Sequence, residues 1–466
     1  MELEVAKKVF KSTDDLRTRL TAKYEESVRY YNNKNDITRD KGGQDTLDAN
    51  GKNDELIRKA DNRISNGYHR ILVDQKAQYV GGIVPTFDVE DDALNQRALE
   101  VLGDNYARIF NRLVVNAANA GTAWLHYWTD NEGAFHFATI DPAQITPIYD
   151  SSLEQKLLAV RRTYESLDTE TGDTYIYDEY WTDKEAQFFK HQQGLGYAAL
   201  EYDFRVPVFD ITTASPLDNS NILKHDTGAV PFISFMNNQD GTSDLSRYKG
   251  LIDVFDRVYS GFVNDVDDVQ QVILILTNYG DAGSADEFKQ KLKRDQVLNL
   301  EKYDGNDQSG VDKLTIDIPV QARDDLLDRT REAIFLHGQG VDPSRVEMGT
   351  NKTGVALKMI YTLLELKAAA LESEFRPGVS ELVRAVLRYL NDGQSEKRRI
   401  TQKWTRAAVK DDTEQADIVA KLANVTSDEA IAKSNPLVDD WQDELELRQN
   451  QTDTYDNQAA RTDIED

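Results

Sequence analysis

Residues 338–375 read GQGVDPSRVEMGTNKTGVALKMIYTLLELKAAALESEF, a loop by composition that feeds a helix. The first half combines glycines, a proline and an Asn-Lys-Thr-Gly run. From Val355 onward nothing breaks a helix until Pro377. A glycine-bearing loop with a Lys-Thr pair ahead of a helix invites reading as a phosphate cradle. That motif needs Gly, four residues, then Gly-Lys-Ser/Thr, because backbone N–H groups must wrap the phosphates closely. Aligning on Lys352 and Thr353 puts Val346 and Asn351 where the two glycines belong. The residues before the loop also read as a helix, where a nucleotide-binding loop needs a buried strand. Spacing and context both fail, and a loop hung on a long rigid rod remains.

Upstream, the sequence predicts two helices with an insertion between them. Leu251, Phe255, Val258, Phe262, Val266, Val269 and Ile273 recur at gaps of three and four, one apolar seam on a helix expected over 245–278. The opposite stripe, Asp253, Arg257, Ser260, Asn264, Asp267 and Gln271, is polar throughout. A small mixed module occupies 279–319, and a returning helix is expected over 320–337. After the 338–353 loop comes the long helix, 354–391, in which Pro377 and Gly378 predict a kink or a break. An insertion between an outgoing and a returning helix makes a projecting arm. With one seam per helix, such an arm should pack beside copies of itself, and head-to-tail packing that closes yields a ring.

Toward the N-terminus, Leu16, Leu20, Tyr24 and Val28 mark one helical face, followed by a polar stretch expected to be a long exposed loop. At Thr122 the period changes to two. AWLHYW, TDNEG and AFHFATI read as a hairpin that opens a β-rich block over 122–236. Beyond the long helix, 392–450 holds a basic strand-like segment (EKRRITQKWTR) and two shorter helical segments. The acidic tail, 451–466, is expected to be disordered. The expected class is α+β, predominantly helical.

The chain has 466 residues, net charge −27 and no cysteine. Disulfides, thiolate metal sites and cysteine nucleophiles are therefore excluded. The longest pure apolar run, Val272–Leu276, is far short of a membrane span. The N-terminal residues carry no signal-peptide core, so a cytoplasmic place of synthesis is expected. Net negative charge disfavours a conventional DNA binder but suits a protein that lets a polyanion pass without sticking. His126 and His136 fall on the two arms of the hairpin, where local packing outweighs a metal site. No other histidine spacing, carboxylate pair or nucleophile motif carries catalytic chemistry, and no cofactor is expected. The cluster Lys397, Arg398, Arg399, Lys403, Arg406 and Lys410 reads first as a solvated face balancing the acidic tail, with an acidic partner or nucleic acid as the second reading.

The chain resembles the portal proteins of tailed double-stranded DNA bacteriophages. The resemblance is carried by NAGTAWLHYWTDNEGAFHFATIDPAQITPIYD, by VPFISFMNNQDGTSDLSRYKGLIDVFDRVYSG, by FLHGQGVDPSRVEMGTNKTGVALKMIYTLLELKAAALESEF and by the late TSDEAIAKSNPLVDDWQDELE.

That resemblance implies a dodecameric ring at one capsid vertex, the conduit for genome packaging and ejection. It implies a wing over 1–244, stem helices at 245–278 and 320–337, a clip at 279–319, a tunnel loop at 338–353, and a crown over 392–450. Expected partners are copies of the chain, the terminase large subunit at the clip, head-completion or adaptor proteins, major capsid and scaffolding proteins, and duplex DNA met without sequence specificity. The expected location is the virion, after assembly in the host bacterial cytoplasm. The tunnel-loop residues would be Arg345, Val346, Glu347, Met348, Gly349, Thr350, Asn351 and Lys352, with Gly338, Gly340 and Gly354 as hinges. Carboxylates and small polar groups are expected to line most of the lumen, Arg345 and Lys352 being sparse exceptions. The alternatives are a packaging ATPase or other hydrolase, and a capsid-associated ring adaptor that is not the conduit.

Overall fold

Helix α1 (Leu3–Tyr31) carries the expected period of four, yet its fully buried aromatics are Phe10 and Tyr30, near its two ends. The computed structural model describes residues 1–39, 60–169, 172–208, 217–269, 273–277, 310–314, 319–345 and 354–407, with Lys421, Thr426 and Ser427 besides. Three further helices follow, α2 (Tyr68–Gly81), α3 (Asp92–Leu102) and α4 (Asn105–Ala120). Asp91 begins α3 by accepting a hydrogen bond from the Leu94 N–H, satisfying one donor that the helix itself cannot.

The change of period at Thr122 produces the hairpin of β2 (Thr122–Thr129) and β3 (Phe135–Ile140), after the short β1 (Thr86–Asp88). Asp130 sets the loop by accepting from the Glu132 and Ala134 N–H groups. The register places Trp128 opposite His136 and His126 opposite Ala138, so the two histidines do not face one another. Trp128 stacks between them, 5.4 Å from His126 and 5.6 Å from His136 by ring centroid. Strand β10 (Phe232–Met236) completes this sheet on the other side of β2.

A second sheet joins β4 (Ile145–Tyr149), β5 (Leu157–Leu167), β6 (Thr174–Trp181), β7 (Glu185–Gln192) and β8 (Glu201–Tyr202), with β9 (Ile222–Lys224) also paired to β7. One face receives α1: Phe10 meets Phe189 edge to face at 5.4 Å. Beside it the buried Arg161 pairs with Asp178 at 2.8 Å and donates to the Phe10 carbonyl at 2.9 Å. A guanidinium out of water needs both a counter-charge and acceptors for its remaining N–H groups, and it has them here.

Helix α5 spans Lys249–Val269, and β11 (Ile273–Thr277) then pairs antiparallel with β12 (Gly310–Leu314). The expectation of a helix as far as 278 is corrected there, with Ile273 in the strand. An Ile-Leu-Ile-Leu run satisfies either period, and strand pairing decided it. Helix α6 covers Val320–Gly338, close to the expected bounds.

Helix α7 runs from Gly354 to Tyr389 through Pro377 without a break. The loss of one backbone hydrogen bond at proline is tolerated because Phe375, Val379, Leu382 and Val383 on either side are all buried. These side chains join α2, α4, β2 and β10 in the main core. Strand β13 (Thr401–Lys403) leaves this core to pair with β1.

Gly378 has a packing role. A Cβ there would stand 2.7 Å from the Phe235 ring, which lies against Phe375 at 5.1 Å. The Gly378→Ala variant should lose about 1–3 kcal/mol by overpacking this contact, measured by urea unfolding.

Candidate functional site at the junction of α5, α6 and α7

Asp244 sits in a 3-10 turn just before α5, 2 % exposed. Lys76 of α2 lies 3.1 Å from its carboxylate and Lys367 of α7 lies 2.9 Å from it. Asn237, just past β10, accepts from Lys76 and donates to Asp244 at 2.9 Å. Burial alone would raise the Asp244 pKa, but the Lys367 and Lys76 charges outweigh it and hold the carboxyl well below its usual range. Burial pulls Lys76 down to about 8, with Asp244 opposing the fall. Lys367 also donates to the Gly338 carbonyl at 2.9 Å, placing a cation at the C-terminus of α6 where the helix dipole favours one.

Two glycines in the predicted loop are explained by this junction. A Cβ on Gly338 would stand 2.5 Å from Leu72 of α2, and one on Gly340 only 2.2 Å from it. The residue in the left-handed region is Gln339 between them, with φ 52°. Gly338 and Gly340 are thus close-packing positions against Leu72. Gly354 opens α7. Arg345 ends a short 3-10 turn, Pro343–Arg345, and Val346, Glu347, Met348, Gly349, Thr350, Asn351 and Lys352 lie outside the described residues.

The polar stripe of α5 is partly covered from within the chain. Asp253 accepts from Tyr30 and from Lys249, tying the end of α1 to the start of α5. Residues 62–66 then run along the helix. The Asn66 N–H donates to Asp256 at 3.0 Å, the Ile64 N–H to Ser260 at 3.0 Å and the Asn62 N–H to Asn264 at 2.6 Å. Two residues of extended chain advance about 6.6 Å and four of helix about 6 Å, so the contacts stay in step. The Asn62 side chain reaches Asp267 at 2.6 Å. Arg257 is exposed, and Gln271 lies outside the described residues.

Asp256 was missed by the sequence reading, although it lies four residues before Ser260. It is fully buried, accepts from Asn35 and Asn66, and has its pKa raised by that burial.

The basic segment divides in two. Arg398 pairs with Asp392 at 2.6 Å, and Arg406 with Glu372 at 2.7 Å and Glu365 at 3.2 Å. These pairs fasten the segment to α7 and its exit. Lys397, Arg399 and Lys403 are exposed, and Lys410 lies outside the described residues. Among the described residues, no group of three or more His, Asp or Glu is placed to hold a metal ion. None of their helices is long and apolar enough to cross a membrane.

The family described as "Phage portal protein, SPP1 Gp6-like" matches residues 12–458. The chain belongs to this family of phage portal proteins. A portal protein of Clostridium phage phiCD119 is 35% identical over 431 residues, covering 90% of each chain. The portal protein of Bacillus phage SPP1 is 29% identical over 434 residues, covering 92% of this chain and 83% of its own. A solved neck of a native GTA particle, computed with C12 symmetry, aligns over 80% of this chain and 90% of its own at 12% identity, with a TM-score of 0.44.

Within this portal-family chain, His69 lies beside the charge cluster as a neutral ring. Its Nε2–H donates to Asn119 Oδ1 at 2.9 Å, so its Nδ1 accepts from the Tyr248 hydroxyl at 2.8 Å. Burial pushes His69 down to about 4, and His126 likewise to about 4. Between the ordinary value of 6.5 and pH 4 the unfolded chain binds protons that these buried rings refuse. Stability should therefore fall as pH drops through that window, by ~3 kcal/mol per histidine at its lower end. Thermal midpoints measured across that range should show the fall, with a shallower slope in His69→Gln.

Proposed function

We propose that twelve copies of the chain close into a ring at one capsid vertex, and that this ring is the conduit through which double-stranded DNA is packaged and ejected. The observation that carries the ring is the width of the apolar arc on α5. Phe255 is buried toward α6, while Val254 on one side of the seam and Tyr259 on the other remain exposed, as does Val266 further along the seam itself. Leu326 and Leu336 are exposed on α6. An arm with two different apolar flanks suits head-to-tail packing, flank against opposite flank, rather than a two-fold dimer. In this reading α5 and α6 are the stem, residues 279–319 the clip and residues 1–244 the wing. Residues 338–353 form the tunnel loop against DNA, and 392–450 form the crown.

A net charge of −27 supports passage over capture, because few phosphate contacts mean little drag and little salt-dependent sticking. The clip would receive the terminase large subunit during packaging and head-completion proteins afterward. The wing would face major capsid and scaffolding proteins. The protein is then a structural part of the virion, assembled in the host bacterial cytoplasm, and ATP hydrolysis belongs to its partner.

Negative-stain imaging of the purified protein should give rings with a central hole of duplex width. Val254→Asp combined with Val266→Asp should abolish them while shifting the unfolding free energy of the subunit by no more than about 0.5 kcal/mol, as exposed substitutions do. Persistent monomers from the unaltered chain, or ATP hydrolysis lost on Lys352→Ala, would overturn the reading.

A further inference from the structure

We infer that Gln75 is a positioning residue, the anchor that fixes where the connection between α6 and α7 begins. Its side-chain amide makes both hydrogen bonds of a single residue. Nε2–H donates to the Val341 carbonyl at 2.7 Å, and Oε1 accepts from the Val341 N–H at 3.0 Å. A primary amide of this length is the side chain suited to both roles, as it carries a donor and an acceptor side by side. Asparagine is one methylene short, glutamate lacks the donor and methionine lacks both. Val341 is 9% exposed, so water does not readily replace a lost partner.

Gln75 does not act alone. Leu72, Gln75, Lys76 and Tyr79 follow one another at helical spacing and form one face of α2. Leu72 seats Gly338 and Gly340, and Gln75 holds Val341. Lys76 meets Lys367 through their shared Asp244. Tyr79 donates to Glu365 at 2.8 Å and stacks on Tyr361, both on α7. The same helix face therefore grips the chain before and after the connection, and it sets the span between the end of α6 and the rod of α7. The clamp itself is independent of function; its consequence for DNA rests on the proposed role of residues 338–353.

Hydrogen exchange on the assembled full-length protein tests both parts. In Gln75→Met, the Val341 amide should exchange about tenfold faster, the loss expected for one neutral hydrogen bond. Exchange in residues 326–334 of α6 should hold, with only a small fall in the thermal midpoint. Gln75→Glu keeps the acceptor for Val341 N–H, so its increase should be smaller, and it supplies the measurement if the methionine variant fails to fold. Unchanged exchange at Val341 would overturn the anchor. So would equal acceleration throughout α6 with a lowered midpoint, which marks general loosening.

Particles built with Gln75→Met should package several-fold less DNA at an unchanged ring count. Local acceleration with normal packaging would uphold the anchor and count against the DNA-facing role of the connection.

Discussion

Asp244, held between two lysines in the interior, is the constraint on which the arrangement of the helices depends. A lone carboxylate there would be costly, and so would either ammonium. Each is tolerable only while the others stay within about 3 Å, which fixes α2, α7 and the turn before α5 relative to one another. Two cations against one anion leave an excess of positive charge. Asn237 Oδ1 and the Gly338 carbonyl at the end of α6 absorb it. Removing one partner from such a cluster typically costs 3–5 kcal/mol, so the junction behaves as a rigid base.

From that base the subunit becomes progressively less self-sufficient. Around α7, the side chains of Leu371, Phe375, Val379 and Val386 are closed off by neighbouring elements. Along α5 the cover changes from apolar packing at Ile252 and Phe255 to a ladder of backbone hydrogen bonds from residues 62–66. Further out, Val266 stands exposed. A fold rigid where its helices meet, with exposed apolar residues along α5 and α6, is suited to assembly with its own kind.

Much of this was legible in the residues because it depends on local periodicity. The change to period two at Thr122, the five-residue loop between β2 and β3 and the bounds of α6 all came from patterning. The family resemblance was equally legible. The errors share one cause, which is that spacing does not say what lies opposite. Ile273 continued a helical seam but found Gly310–Leu314 to pair with, and became a strand. Nor did the polar stripe through Ser260 and Asn264 say that residues 62–66 lie along it.

The sequence by itself determined the α+β class, the loop followed by a long rod, the absence of thiol chemistry and membership of a portal family. Only the tertiary structure decided what its singular residues do. Gly338 and Gly340 read as hinges and Gly378 as part of a kink, and at each a Cβ would stand within 2.7 Å of a neighbouring side chain, Leu72 or Phe235. Lys76, Lys367 and Asp244 are three ordinary charges scattered over almost 300 residues, and no local pattern distinguishes them from a solvated surface. Their meaning comes from sharing one desolvated site, where electrostatic attraction is strong and unpaired charge is costly.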